Sequence, residues 1–237
     1  MFPSRIFFAR RQGECMKNAD YTPEAIEEEL FSRFGELNSC REDFAALYRA
    51  CVCAYERGGK LLVAGNGGSA SDSEHIVAEL MKSFCVKRPP DARLASSLAE
   101  MFGERGAAIA GKLEGCLPVL PLTSMPAFTS AFSNDSDPSM AFAQLLSGYA
   151  REGDVFLAIT TSGNSKNILN ALAVARAMGI SSAVLTGRSG GESAKLAQIA
   201  VRVPADDTGR IQEYHLPLYH ALCAMLEAKF FGAAERR

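Results

Sequence analysis

Chemistry in this chain concentrates in two short turns and two helices. The first turn is Gly65-Asn66-Gly67-Gly68-Ser69. Its glycines allow a tight bend and close approach of backbone to a ligand, and Ser69 is placed to cap the helix that follows. A glycine-rich turn by itself fits an ordinary bend as well as a binding site. The second turn, Thr160-Thr161-Ser162-Gly163-Asn164-Ser165, brings four hydroxyls to the start of a predicted helix. Hydroxyls and free backbone N–H groups at the positive end of a helix dipole form a cradle for an anion. No Lys follows the pattern of a nucleotide P-loop, so a phosphate monoester suits the turn better than a magnesium-bound triphosphate. An ordinary Ser/Thr-rich cap is the plainer alternative. Two such turns after two strands of one sheet favour phosphate binding.

The groups able to move protons lie on helices. The chain has three histidines, His75, His215 and His220. His75 and Glu79 are four residues apart and share a helix face. Gln212 and His220 are eight apart, a little over two turns, on neighbouring parts of one face, and His215 lies further round. Each alone reads as a packed or solvated side chain. Together, the N and O donors of His75, Glu79, Gln212 and His220 also suit a divalent metal such as zinc. Spacing leaves both readings open.

The elements that must position these groups are legible as a pattern. Thr22-Pro23 followed by Glu24, Glu27, Glu28 and Glu29 is a helix start, with a cap, a proline in the first turn and acids at the positive end. A second helix is expected over Arg41–Glu56. Short apolar runs predict strands at Lys60–Gly65, Pro118–Leu122, Val155–Ile159, Ser182–Leu185 and Ile199–Val203. Helices are expected over Ser69–Phe84, Arg93–Leu113, Lys166–Met178 and Ile211–Phe231. Strands alternating with helices predict an α/β fold with a parallel sheet covered on both faces, and ligands at the carboxyl ends of the strands.

Composition excludes several classes of function. The 237 residues are 48% hydrophobic and 22% charged, enough for one large globular domain. With 25 basic and 27 acidic residues there is no positive excess for a nucleic-acid backbone. No apolar run reaches the roughly eighteen residues of a membrane helix. Seven scattered cysteines, none in a CxxC pair, read as reduced thiols of a cytoplasmic protein. Residues 1–20 read as a tail, or as sequence upstream of a start at Met16, rather than as a signal peptide. Residues 21–237 then form a single domain.

The segments AGNGGSASDSEHIVAEL, AITTSGNSKNILNAL, AVLTGRSGG and RIQEYHLPLYHALCAMLE resemble the sugar isomerase (SIS) domain family, most closely its phosphoheptose isomerases. The resemblance runs from about Tyr21 to Phe231. It implies a flavodoxin-like three-layer α-β-α sandwich with a five-stranded parallel sheet. It also implies a homotetramer with active sites where subunits meet, and aldose–ketose isomerisation of a phosphorylated sugar. Carried over by position, Thr160, Thr161, Ser162 and Ser165 hold the phosphate. Asn66, Gly67, Gly68 and Ser69 line the sugar site, and Asn134-Asp135 matches an Asn-Asp pair of the substrate loop. Glu79 and His220 match the acid/base residues. His75, Glu79, Gln212 and His220 match positions that hold zinc in some members.

Two features depart from the family pattern. The phosphate turn begins Thr-Thr-Ser instead of Ser-Thr-Ser, which keeps a hydroxyl. The segment between Pro90 and Asn134 is longer by roughly two dozen residues, an insertion near 91–127 that leaves the identity of the sugar open, another ketose phosphate included. A related non-catalytic adaptor, which binds a bacterial replication initiator, lacks the paired acid/base residues present here. Sugar-phosphate sensors carry a fused DNA-binding domain, for which the residues before Tyr21 are too few.

Overall fold

The computed structural model describes residues 21–232; the expectations for residues 1–20 lie outside the described residues. Its centre is a five-stranded, all-parallel sheet in the order β2-β1-β3-β4-β5. The strands are β1 (Leu61–Gly65), β2 (Val119–Pro121), β3 (Val155–Ile159), β4 (Ser181–Thr186) and β5 (Ile199–Arg202). All five lie where the apolar runs place them. β1 and β3 are buried along their whole length, as expected for strands covered on both faces.

The period-two alternation of side chains divides the core in two. Leu61 and Val63 of β1, with Leu157 and Ile159 of β3, face one layer. That layer is built from α1 (Pro23–Arg33), α2 (Arg41–Glu56), α3 (Gly68–Met81) and α9 (Thr208–Phe231). Leu62, Ala64, Phe156 and Ala158 face the other, where α6 (Ala141–Tyr149) and α7 (Lys166–Ala177) pack. Thr22 caps α1 by accepting a bond from the Ala25 amide at 3.2 Å, with Pro23 in the first turn. α5 (Pro126–Asp135) and the single turn α8 (Ser193–Leu196) are further helices.

Two local expectations are corrected. Ser69 does not cap α3. Gly67 occupies that position with φ 54° and ψ −121°, a conformation only glycine adopts without strain, so the helix starts earlier and Ser69 is buried within it. The helix expected over Arg93–Leu113 is not one rod either. α4 (Ala92–Ala110) breaks at Gly103, with φ 55° and ψ −132°. A Cβ on Gly106 would strike the backbone of Leu98, eight residues back and about 12 Å away in a straight helix. The segment therefore doubles back on itself as a helical hairpin.

The sheet order reverses between β1 and β3, since β2 lies on one side of that pair and β4 and β5 on the other. A crevice opens at the carboxyl ends of strands at such a switch point. The two turns singled out in the sequence are the ones that follow β1 and β3.

Candidate active site

The two turns are joined across the crevice. Asn66 and Asn167 exchange side-chain amide bonds of 3.0 and 2.8 Å, fixing the turn after β1 to the first turn of α7. Gly68 lies directly against the Gln212 amide of α9, where a Cβ would collide with Nε2. The glycine turn thus gives α9 room to approach.

In the second turn Thr160 is buried and its hydroxyl lies 3.4 Å from that of Ser165. Ser165 opens α7 without using its side chain as a cap, so its hydroxyl faces no helix amide. The Ser162 hydroxyl accepts from the Asn164 amide at 3.2 Å. The turn is buttressed by the loop after β4, where Gly190 and Gly191 lie close against Gly163 and the next two residues bond to the turn. The Ser193 amide donates to the Gly163 carbonyl at 2.9 Å, and the Glu192 amide donates to Asn164 Oδ1 at 3.0 Å. The result is a hydrogen-bonded turn that presents hydroxyls at the positive end of α7.

The side chains chemically able to move protons meet where α3 crosses α9. His75 Nε2 lies 3.2 Å from Glu79 Oε1 and 3.3 Å from His220 Nε2. The rings of His75 and His220 meet edge to face, with centroids 4.7 Å apart. Lys82, one turn beyond Glu79, holds its other oxygen at 2.9 Å. Burial pushes the pKa of His220 down to about 4, assisted by neighbouring His75 and opposed by Glu79, so its imidazole rests neutral near pH 7.

Two further residues extend this cluster, and the sequence reading did not select either. Tyr219 Oη lies 3.2 Å from Asp72 Oδ1 and 3.1 Å from His75 Nδ1. Burial raises the Asp72 carboxyl above the ordinary range, against the bond from Tyr219. The phenol has one proton for two neighbours. When it donates to Asp72, His75 Nδ1–H donates to the phenol oxygen. When it donates to His75 Nδ1, the proton of a neutral His75 sits on Nε2, toward Glu79 and His220. The available signals were spacing and adjacency: Asp72 precedes His75 by three residues on α3, and Tyr219 adjoins His220.

The other candidates are placed elsewhere. Gln212 lies beside Gly68, about two turns along α9 from His220. Asn134 and Asp135 bond to each other at 2.8 Å on the exposed end of α5, and no hydrogen bond joins them to the histidine cluster among the described residues. His215 is fully buried in the core layer. As a zinc site, the donor chemistry of His75, Glu79 and His220 is suitable. The 3.2 and 3.3 Å separations match the edge of a tetrahedron with metal–ligand bonds of 2.0–2.1 Å, about 3.4 Å. No set of three His, Cys, Asp or Glu side chains closes fully around a common centre among the described residues.

Comparison with known proteins agrees with this architecture. The SIS domain model matches residues 129–228, from α5 through most of α9. The phosphoheptose isomerase of Sulfurimonas denitrificans is 38% identical over 184 residues, 78% of this chain and 81% of the relative. That of Geotalea daltonii is 38% identical over 193 residues, 81% and 86% of the two chains. Among solved structures, a phosphoheptose isomerase from Francisella tularensis superposes with a TM-score of 0.67 at 30% identity, covering 89% of this chain and 98% of its own. The Neisseria gonorrhoeae phosphoheptose isomerase gives 0.63 at 27% identity, covering 86% and 99%. A flavodoxin-like sheet, a hydroxyl-lined turn at its switch point and an identity this extensive lead to one assignment: the chain is a phosphosugar isomerase and belongs to the phosphoheptose isomerase family of SIS-domain proteins.

Proposed function

We propose that the protein interconverts sedoheptulose 7-phosphate and D-glycero-D-manno-heptose 7-phosphate, with Glu79 and His220 as the acid/base pair. The observation that carries this reading is the meeting of both groups on one nitrogen of His75, although they lie on helices far apart in sequence. The phosphate sits in the Thr160–Ser165 turn, with Thr160, Thr161, Ser162 and Ser165 donating to its oxygens. Asn66, Gly67, Gly68, Ser69 and Gln212 line the sugar site, and Asn134 and Asp135 contact the sugar from α5.

Isomerisation moves a proton between C1 and C2 through an enediol. In the aldose-to-ketose direction His220 takes the proton from C2 to give the enediol, and Glu79 then gives a proton to C1, while the O2 proton passes to O1; the opposite direction reverses each transfer. Neutral His220 is ready to take the C2 proton in the aldose-to-ketose direction. Binding the remote phosphate holds the open-chain sugar in place and converts binding energy into orientation. His75, Glu79 and His220 would hold a zinc ion, in competition with proton transfer by the same groups, while Gln212 lies apart beside Gly68; bound there, the ion would polarise the sugar oxygens.

The protein works as a homotetramer with active sites at subunit contacts. Leu94, Met101, Phe102, Ile109 and Leu113 of the hairpin region are 40–73% exposed, and α5 buries no side chain. Apolar surface of this kind marks an interface. The charges around it are mixed, with Arg93, Arg105 and Lys112 against Asp91, Glu100, Glu104 and Glu114, which suits a second copy of the same chain. No helix among the described residues is long and apolar enough to cross a membrane, and the described cysteines are unpaired, in keeping with the cytoplasm.

The test is turnover followed by NMR. Purified protein given sedoheptulose 7-phosphate should yield the aldose signal. Glu79→Gln and His220→Gln should each lose at least about a hundredfold in kcat. Conversion of a different ketose phosphate alone would reassign the substrate, and retained turnover in either variant would remove that residue from the chemistry.

A further inference from the structure

A second buried cluster lies behind the acid/base pair and bonds to both of its helices. Arg88, in the connection between α3 and α4, is 1% exposed. Its three nitrogens have three separate partners. Nε donates to Glu227 Oε1 at 2.7 Å, Nη1 to the Leu80 carbonyl at 2.7 Å, and Nη2 to the carbonyl of Glu79 itself at 2.8 Å. The guanidinium also lies over the Phe231 ring, 5.0 Å from its centroid. Glu227 is fully buried on α9, seven residues and therefore two turns beyond His220, on the same face. Its carboxylate also accepts from the amides of Phe84, Cys85 and Val86 at 2.8, 2.7 and 3.1 Å, and from the Tyr21 hydroxyl at 2.8 Å.

The last four carbonyls of a helix lack partners within it, so its final turn frays readily. Glu79 sits in that final turn of α3. Arg88 occupies two of those carbonyls and ties them to a carboxylate on the helix that carries His220. A buried ion pair contributes little net stability over an apolar pair of similar volume, so core formation alone does not call for it. Its geometric effect is specific, because one guanidinium links the backbone of Glu79 to the helix of His220.

We propose that Arg88 and Glu227 are positioning residues for the isomerisation, a clamp that sets the separation of Glu79 from His220. The inference rests on the acid/base reading above. A displacement of about 1 Å between reacting groups costs roughly a hundredfold in rate. The phosphate turn belongs to β3 and α7, which the clamp does not touch.

The experiment uses the full-length protein with Arg88→Lys and Glu227→Gln. Lysine cannot reach all three acceptors, whereas glutamine keeps an acceptor for the amides and loses the charge. Turnover is measured well below the unfolding temperature and normalised to the folded fraction by near-UV circular dichroism. The expected result is a kcat lower by about tenfold to a hundredfold with KM within about twofold. Deuterium at C2 of the aldose should slow kcat more in the variants than in the parent, because proton transfer becomes more rate-limiting. An unchanged kcat per folded molecule in either folded variant would overturn the proposal. So would failure of both variants to fold, which would assign the pair to the fold alone. Glu79→Gln and His220→Gln run alongside separate the two readings. Full turnover in those removes the acid/base assignment, whereas their inactivity beside full turnover in the clamp variants removes the clamp alone.

Discussion

His215 shows how the fold sets the chemistry of a single residue. It stands on the same helix as His220 but points into the core, where it is fully buried, and burial pushes its pKa down from 6.5 to about 4 against a weak opposing contact from the Thr186 backbone. The unfolded chain accepts a proton on this ring below pH 6.5, whereas the folded chain resists it down to about pH 4. The stability linked to His215 is therefore fully present above pH 6.5 and is lost as the pH falls from 6.5 through 4. The loss is on the order of 3 kcal/mol from this group. Urea unfolding at pH 7.5 and 4.5 should show it, and His215→Met should flatten the dependence. An unaltered slope in that variant would place the effect on other groups.

At the scale of elements, the site depends on β1 and β3 keeping their register at the switch point. Asp154, just before β3, is 3% exposed and joins the starts of these strands. It accepts from the Lys60 amide at 2.9 Å, the Lys60 ammonium at 2.6 Å and the Arg151 amide at 2.8 Å. Removing the carboxylate leaves a partly buried cation and two amides without their acceptor. Asp154→Ala should lower the unfolding free energy by about 3 kcal/mol, read from urea or thermal midpoints. A loss under about 1 kcal/mol would mean that water replaces the carboxylate there.

For the whole molecule, the α4 hairpin is the segment that bears on assembly, because it carries exposed apolar side chains. Its stem is pinned beside the active site. The Ser83 amide donates to Glu114 Oε2 at 2.7 Å, Gly115 N to the Arg88 carbonyl at 3.2 Å, and Leu117 N to the Leu80 carbonyl at 2.9 Å. The hairpin above that stem presents Met101 and Phe102, 73% and 55% exposed. If it lies between subunits, Met101→Glu with Phe102→Glu should reduce the assembled mass measured by light scattering while leaving the circular dichroism of the protomer intact. An unchanged mass would remove the hairpin from the interface.

The amino-acid sequence determined the class of fold, all five strands and the two turns that follow β1 and β3, because these depend on local pattern. Apolar runs bounded by glycine specify buried strands, and clusters of glycine and hydroxyl residues before a helix mark the turns between them. It also supplied His75, Glu79 and His220 as candidates. Their meeting was decided by the packing of α3 on α9, because contacts between helices so distant in sequence depend on how both pack in three dimensions. The same cause hid Asp72, Tyr219 and the Arg88–Glu227 pair, whose partners are remote in sequence. It also hid the doubling-back of α4, where a helix-forming composition gives way at Gly103 and Gly106 lets the two arms touch. Periodicity records which face of an element is buried, whereas tertiary structure alone decides what that face is buried against.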